Sequence, residues 1–138
     1  MLSGSHYHNM DQRGRLVLPV SFREALGDKY IVTRGLDKCV WLFAPDEYTQ
    51  LEDRITQLPE ISNREIYRFI IGSRVECASD PQDRLVIPLE LREHAELERD
   101  LVIVGQARKV EIWSRRVWKE HCAKVEEKVA EMMEGLDL

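Results

Sequence analysis

The segment Asp11-Gln12-Arg13-Gly14-Arg15-Leu16-Val17-Leu18-Pro19-Val20-Ser21-Phe22-Arg23-Glu24 returns 69 positions later as Asp80-Pro81-Gln82-Asp83-Arg84-Leu85-Val86-Ile87-Pro88-Leu89-Glu90-Leu91-Arg92-Glu93. Asp, Arg, Leu, Val, Pro, Arg and Glu keep their places. Chance does not preserve such an order of unlike residues, so the chain is a tandem duplication. Each copy spans roughly 65 to 70 residues, too few to bury a generous core alone. The expectation is therefore a single compact domain over 1–138. Within it lie one repeat at 5–50, a bridging helix at 60–73, a second repeat at 77–120 and a C-terminal helix at 115–136.

The ionic balance constrains partners. The net charge is −5, yet residues 1–35 carry Arg13, Arg15, Arg23, Lys29 and Arg34 against Asp11, Glu24 and Asp28, a local +2 that leaves −7 for the remainder. An acidic chain binds a polyanion when its cations gather on one face, and self-association multiplies that face. Apolar runs such as Leu101-Val102-Ile103-Val104 fall far short of the ~20 residues a membrane span needs. The opening Met1-Leu2-Ser3-Gly4 lacks signal-peptide regions, so a cytoplasmic location is expected. Cys39, Cys77 and Cys122 are odd in number and contain no CxxC, which fits reduced thiols better than disulfides or zinc.

Turn chemistry and periodicity give each copy the same order of elements. Asp11 to Gly14 is a tight corner before a strand Arg15–Leu18, and Pro19 ends it; a short helix follows, capped by Ser21 and closed by Gly27. Strands then fall at Tyr30–Thr33 and Cys39–Phe43, with a helix from Pro45 carrying Tyr48, Leu51 and Ile55 on one stripe. In the second copy the equivalent turn falls at Gly105. Between the copies Ser62-Asn63-Arg64-Glu65 has capping-box form, placing Ile66, Tyr67, Phe69 and Ile70 on a packed bridging helix. In the last helix Trp118, Cys122, Val125, Val129, Met132 and Leu136 repeat at 4, 3, 4, 3, 4. That seam either lies on its own body or pairs with another chain.

Catalytic signals are missing. His6 and His8 stand at strand spacing with no third ligand, and His94 and His121 are isolated, so no metal site is expected. No nucleophile elbow and no phosphate-cradling glycine loop is encoded. No cofactor, catalytic residue or small-molecule substrate is predicted. The arginines at the corners are more informative, because a guanidinium lifted off a strand end can fork onto phosphate oxygens or onto guanine O6 and N7. Arg13, Arg15 and Arg23 form the densest such set. Two roles stand open for Arg15: stiffening the corner through Asp11, or reaching nucleic acid, and one does not preclude the other.

The opening through Asp11, the corner Gln12-Arg13-Gly14-Arg15, its repeat Asp80 to Pro88 and the strand Val110-Glu111-Ile112-Trp113 together resemble the MraZ family of bacterial transcriptional regulators, built from two SpoVT/AbrB-type repeats. The likeness runs along essentially the whole chain. It implies an α+β fold in which two tandem AbrB-like ββαβ-type repeats form a β-barrel with flanking helices. It implies ring-shaped homo-oligomers in the cytoplasm, associated with the nucleoid. It also implies binding to double-stranded DNA at short direct repeats upstream of the division and cell-wall operon, as a repressor. By the family's pattern the DxxxR corners face the DNA, which carries over to Asp11 and Arg15 and to Asp80 and Arg84, with Arg13, Gly14 and Arg23 beside them. Asp83 departs from that pattern where glycine is usual. Its carboxylate is expected to hold Arg84 internally, leaving the first corner as the principal contact. The competing reading is a ring-forming interaction scaffold without specific DNA binding.

Overall fold

The computed structural model describes residues 1–137. The first copy contains β1 (Ser5–Asn9), β2 (Arg15–Val17), α1 (Val20–Leu26), β3 (Lys29–Arg34) and β4 (Val40–Phe43). Helices α2 (Pro45–Thr56) and α3 (Glu60–Ile70) and a 3-10 turn, Ile71–Ser73, lead to the second copy. That copy has β5 (Val75–Ala78), β6 (Arg84–Val86), α4 (Leu89–His94), β7 (Asp100–Gln106) and β8 (Lys109–Ser114), followed by α5 (Arg115–Met132).

The copies interleave. Six strands form one antiparallel sheet in the order β1-β7-β8-β4-β3-β5, and β2 pairs with β6 in a separate ribbon. The first strand of each copy has therefore left its own repeat, β1 joining β7 and β5 joining β3. Exchanging the copies reproduces the order, so an approximate two-fold axis runs between β4 and β8. It also passes through the ribbon, where Leu16 faces its own counterpart Leu85. Register gives the third strands an offset of their own: Ile31 opposite Glu76 recurs as Val102 opposite Tyr7, so β7 stands 71 residues after β3 (102 − 31).

The strands do not close into the expected barrel. The sheet is open at β1 and β5, and the ribbon strands are three residues long. Pro19 and Pro88 end them closely, because proline has no N–H to extend a ladder. Each half of the ribbon buries one leucine, and the main core draws Leu16, Leu18, Phe22, Val32 and Leu42 from one copy and Leu85, Ile87, Leu101, Ile103 and Ile112 from the other. At about 1.5–3 kcal/mol per fully buried aliphatic side chain, that shared interior dominates stability.

Several local expectations shift. Pro19 and Pro59, rather than Ser21 and Ser62, occupy the N-caps of α1 and α3, and neither helix has a side-chain cap. A proline already lies at the extended φ/ψ that precedes a helix and has no donor to lose. Asn63 is used otherwise, its Nδ2 donating to Ile55 O to tie α3 to α2. Gly105 lies inside β7, not in the turn, and a Cβ there would clash with the backbone of Leu2 and Ser3; the N-terminal segment runs antiparallel beside the strand there, with Gly105 N donating to Gly4 O and Leu2 paired with Ala107. The α3 helix packs less than expected: Ile70 is buried, while Ile61, Ile66, Tyr67 and Phe69 are exposed. The seam of α5 is likewise free beyond its first turns, with Val117 buried, Trp118 against Trp113, and Val129, Met132 and Leu136 exposed.

Candidate nucleic-acid interface

Both corners are built by one carboxylate. Asp11 Oδ1 accepts the backbone N–H groups of Arg13 and Arg15 at 2.9 Å each, while Oδ2 accepts Arg15 Nε at 2.6 Å. Asp80 does the same for Gln82 and Arg84, at 2.9 and 2.9 Å, and for Arg84 Nε at 2.8 Å. The backbone N–H of Arg15 or Arg84 and the guanidinium beside it hold each carboxyl below its ordinary value, against a smaller opposing effect of desolvation. The clamp is formed and leaves the second role of Arg15 open: Asp11 takes Nε and sets the rotamer, and the terminal amino groups carry no ion pair of their own among the described residues.

The ribbon aims the two arginines the same way. Leu16 and Leu85 point into the core at 2% and 1% exposure, so by strand alternation Arg15, Val17, Arg84 and Val86 lie on the outer face. Arg15 sits opposite Val86 and Val17 opposite Arg84. Two guanidiniums share one small face, each with its own aspartate beside it. A two-stranded ribbon of this kind also fits the major groove of B-form DNA.

The antiparallel ribbon carries each short helix to the other copy's corner. Arg23 on α1 reaches Asp83 Oδ2 at 3.0 Å. Asp83 therefore pairs with Arg23 and not with Arg84, which belongs to Asp80. The reason is direction: at φ +62° the backbone of Asp83 turns its side chain away from its neighbour and toward α1. At the equivalent place in the first corner Gly14 is buried with φ +80°, and Arg92 from α4 lies over it. Sequence reasoning passed over Arg92, although the same offset of 69 joins it to Arg23.

The other candidates are structural. His6 stacks edge-on against Phe22 at 5.0 Å, His94 Nε2 donates to Gly35 O, and His121 tilts over Trp113. All three cysteines are free, with Cys39 buried beside Glu111 and its thiol pushed up, first by burial and then by that carboxylate. No helix among the described residues is long and apolar enough to cross a membrane.

A duplicated α+β fold with a swapped ribbon and two aspartate-clamped arginines defines a class of paired-corner proteins, and both copies of this chain match one family within it. The family described as "MraZ protein, putative antitoxin-like" matches residues 1–68 and again 70–136. Proteins named "Transcriptional regulator MraZ" from Caldanaerobacter subterraneus subsp. tengcongensis and Halothermothrix orenii are each 40% identical, and one from Thermoanaerobacter sp. (strain X514) is 39% identical. In all three the alignment covers 99% of this chain and 97% of the relative. The chain belongs to the MraZ family. That family carries the name of a transcriptional regulator, which is not a class of enzyme.

Proposed function

We propose that this MraZ-family chain regulates transcription by binding double-stranded DNA through the outer face of the β2–β6 ribbon. The observation that carries the reading is the pair of outward arginines, Arg15 and Arg84, each pre-set by its own aspartate. Holding a guanidinium in one rotamer before binding reduces the entropy lost on contact. Arg13, exposed beside the first clamp, and Gly14, whose conformation permits the corner, complete that end; Asp80 and Arg84 form the other, where Arg23 is held to Asp83. Sheet and ribbon together enclose the core in the manner of an AbrB-type barrel, built as one domain over 1–138 from repeats at 5–50 and 77–120, with a bridging helix at 60–73 and a C-terminal helix at 115–136.

The regulator represses its own division and cell-wall operon from short direct repeats, acting in the cytoplasm at the nucleoid. Exposed Ile61 and Ile66 on α3, and Met132 and Leu136 at the C-terminal end, support self-association into a ring. A ring presents identical corners to successive repeats, so individually weak contacts add through effective concentration. Gel-shift titration of wild type and Arg15→Ala on the upstream region of the operon tests the assignment; unchanged affinity and an unchanged salt slope in the variant would sink it. The scaffold reading predicts salt-insensitive assembly and no preference for that duplex.

A further inference from the structure

Arg23 and Arg92 occupy equivalent places on α1 and α4, and each is anchored in the same way. Arg23 Nε donates to Leu18 O at 3.1 Å and Arg92 Nε to Ile87 O at 2.9 Å. Each carbonyl belongs to the residue before the proline that ends its ribbon strand. From that anchor each guanidinium leans over the opposite copy's corner, and there the two meet different surroundings. Arg23 finds the Asp83 carboxylate at 3.0 Å. Arg92 lies flat on Gly14, where a built Cβ would fall 2.7 Å from its Nε and 2.9 Å from its Cζ. Arg92 is half-buried and forms no ion pair among the described residues; Glu90 and Glu93, on the same helix, are exposed and leave it unpaired. Among the described residues its terminal amino groups have no acceptor, while its Nε is fixed.

We propose that Arg92 is a DNA-phosphate contact of the first corner, so that this corner is a composite of Arg13 and Arg15 from one repeat and Arg92 from the other, and that Asp83 withdraws Arg23 from the matching position at the second. This rests on the DNA-binding reading above. The chemistry follows from what each guanidinium has left to give. A phosphate approaching Arg92 meets free N–H donors held in one orientation, with Gly14 adding no side chain to displace them. A phosphate approaching Arg23 meets a donor already neutralised and a carboxylate that repels it. Arg92 is recessed beside the corner rather than at its tip, which suits the backbone of the duplex and not a base edge.

The experiment is a set of binding titrations of the full-length protein, by fluorescence anisotropy over a range of salt. The probes are a duplex from the region upstream of its own operon and a scrambled duplex of equal length. Arg92→Ala is expected to weaken binding to both by roughly five- to ten-fold and to lower the logarithmic salt slope by about 0.9, the value for one lost phosphate contact. Arg92→Lys, which keeps the charge, is expected to restore the slope. Arg23→Ala is expected to stay within about two-fold of wild type, and Asp83→Asn to bind several-fold more tightly, a gain that the added change Arg23→Ala cancels. The Asp83 variants leave Arg92 and its anchor untouched, so they answer even if Arg92→Ala unfolds. Wild-type binding by folded Arg92→Ala while Arg15→Ala is impaired overturns the proposal alone. So does a loss in Arg23→Ala equal to that in Arg92→Ala, or an Asp83→Asn protein no tighter than wild type. If Arg15→Ala also binds like wild type, the DNA-binding reading falls with it.

Discussion

The first and second corners share a skeleton and differ in what lies over it. In both, an aspartate binds two backbone N–H groups and one arginine Nε, with distances that agree to within 0.2 Å. The third residue after that aspartate is a buried Gly14 in one and an exposed Asp83 in the other. One substitution therefore changes the state of an arginine 60 residues away in the chain (83 − 23), because the pairing of β2 with β6 has made distant residues neighbours. The clamp is what duplication preserved, and the surface over it is what diverged.

The symmetry of the interior is the strongest part of that comparison to break. Leu16→Ala and Leu85→Ala remove equally buried side chains that face one another across the axis, and each is expected to cost about 2–5 kcal/mol in urea denaturation. A large difference between them would mean that the two halves of the core are not equivalent. Gly14→Ala should separate the corners: its Cβ would press on the Arg92 guanidinium and on Ile87 O at 2.9 Å, with φ at +80°. A loss of about 1–3 kcal/mol is expected. Asp83→Ala, giving up only a surface ion pair, should cost less than about 1 kcal/mol. Thermal melts of the two variants decide whether the asymmetry is real.

Affinity sharpens the comparison further. Arg15→Ala should weaken binding to the operon duplex by about 1–3 kcal/mol, and Arg84→Ala by less, since Asp83 places a carboxylate at the second corner. Parallel titrations at fixed salt measure the ratio, and a greater loss in Arg84→Ala would reverse the order of the corners. The smallest effect concerns protons. Asp11 and Asp80 have folded-state pKa values below the unfolded ones, so their contribution to stability is complete above the ordinary carboxylate value. It is lost as pH falls through the lowered folded values. Carboxyl-carbon NMR titration should place both midpoints below that of an unstructured aspartate, and a midpoint at the ordinary value for either would show that its clamp is absent in solution.

Much of the fold was legible in the sequence because it depends on local rules. The corners, the short helices, the closing role of Gly27 and the helix opened by Pro45 all follow from residues within a few positions of one another, and they stand where expected. Partner choice was not legible. A strand's alternation says which face is buried but not which strand lies beside it, so the exchange of β1 and β5, and the pairing of β2 with β6 that brings Arg23 to Asp83, lay outside local pattern. The open sheet has the same origin. Ser62 misled because a capping box is a preference, which the fixed φ of Pro59 overrides. Arg92 is the instructive omission: the offset that paired Gly14 with Asp83 also paired Arg92 with Arg23, and carrying it through the helix would have marked both.

Joining the two copies in one chain has a consequence for the kind of DNA sequence such a protein can read. Two separate copies related by a true two-fold axis would carry every substitution twice, and their shared face would look the same from either end, as a palindrome does. Here Asp83 has no twin, so the ribbon has a head at Gly14 and a tail at Asp83. In the proposed DNA-binding role, that polarity suits sites that all point the same way.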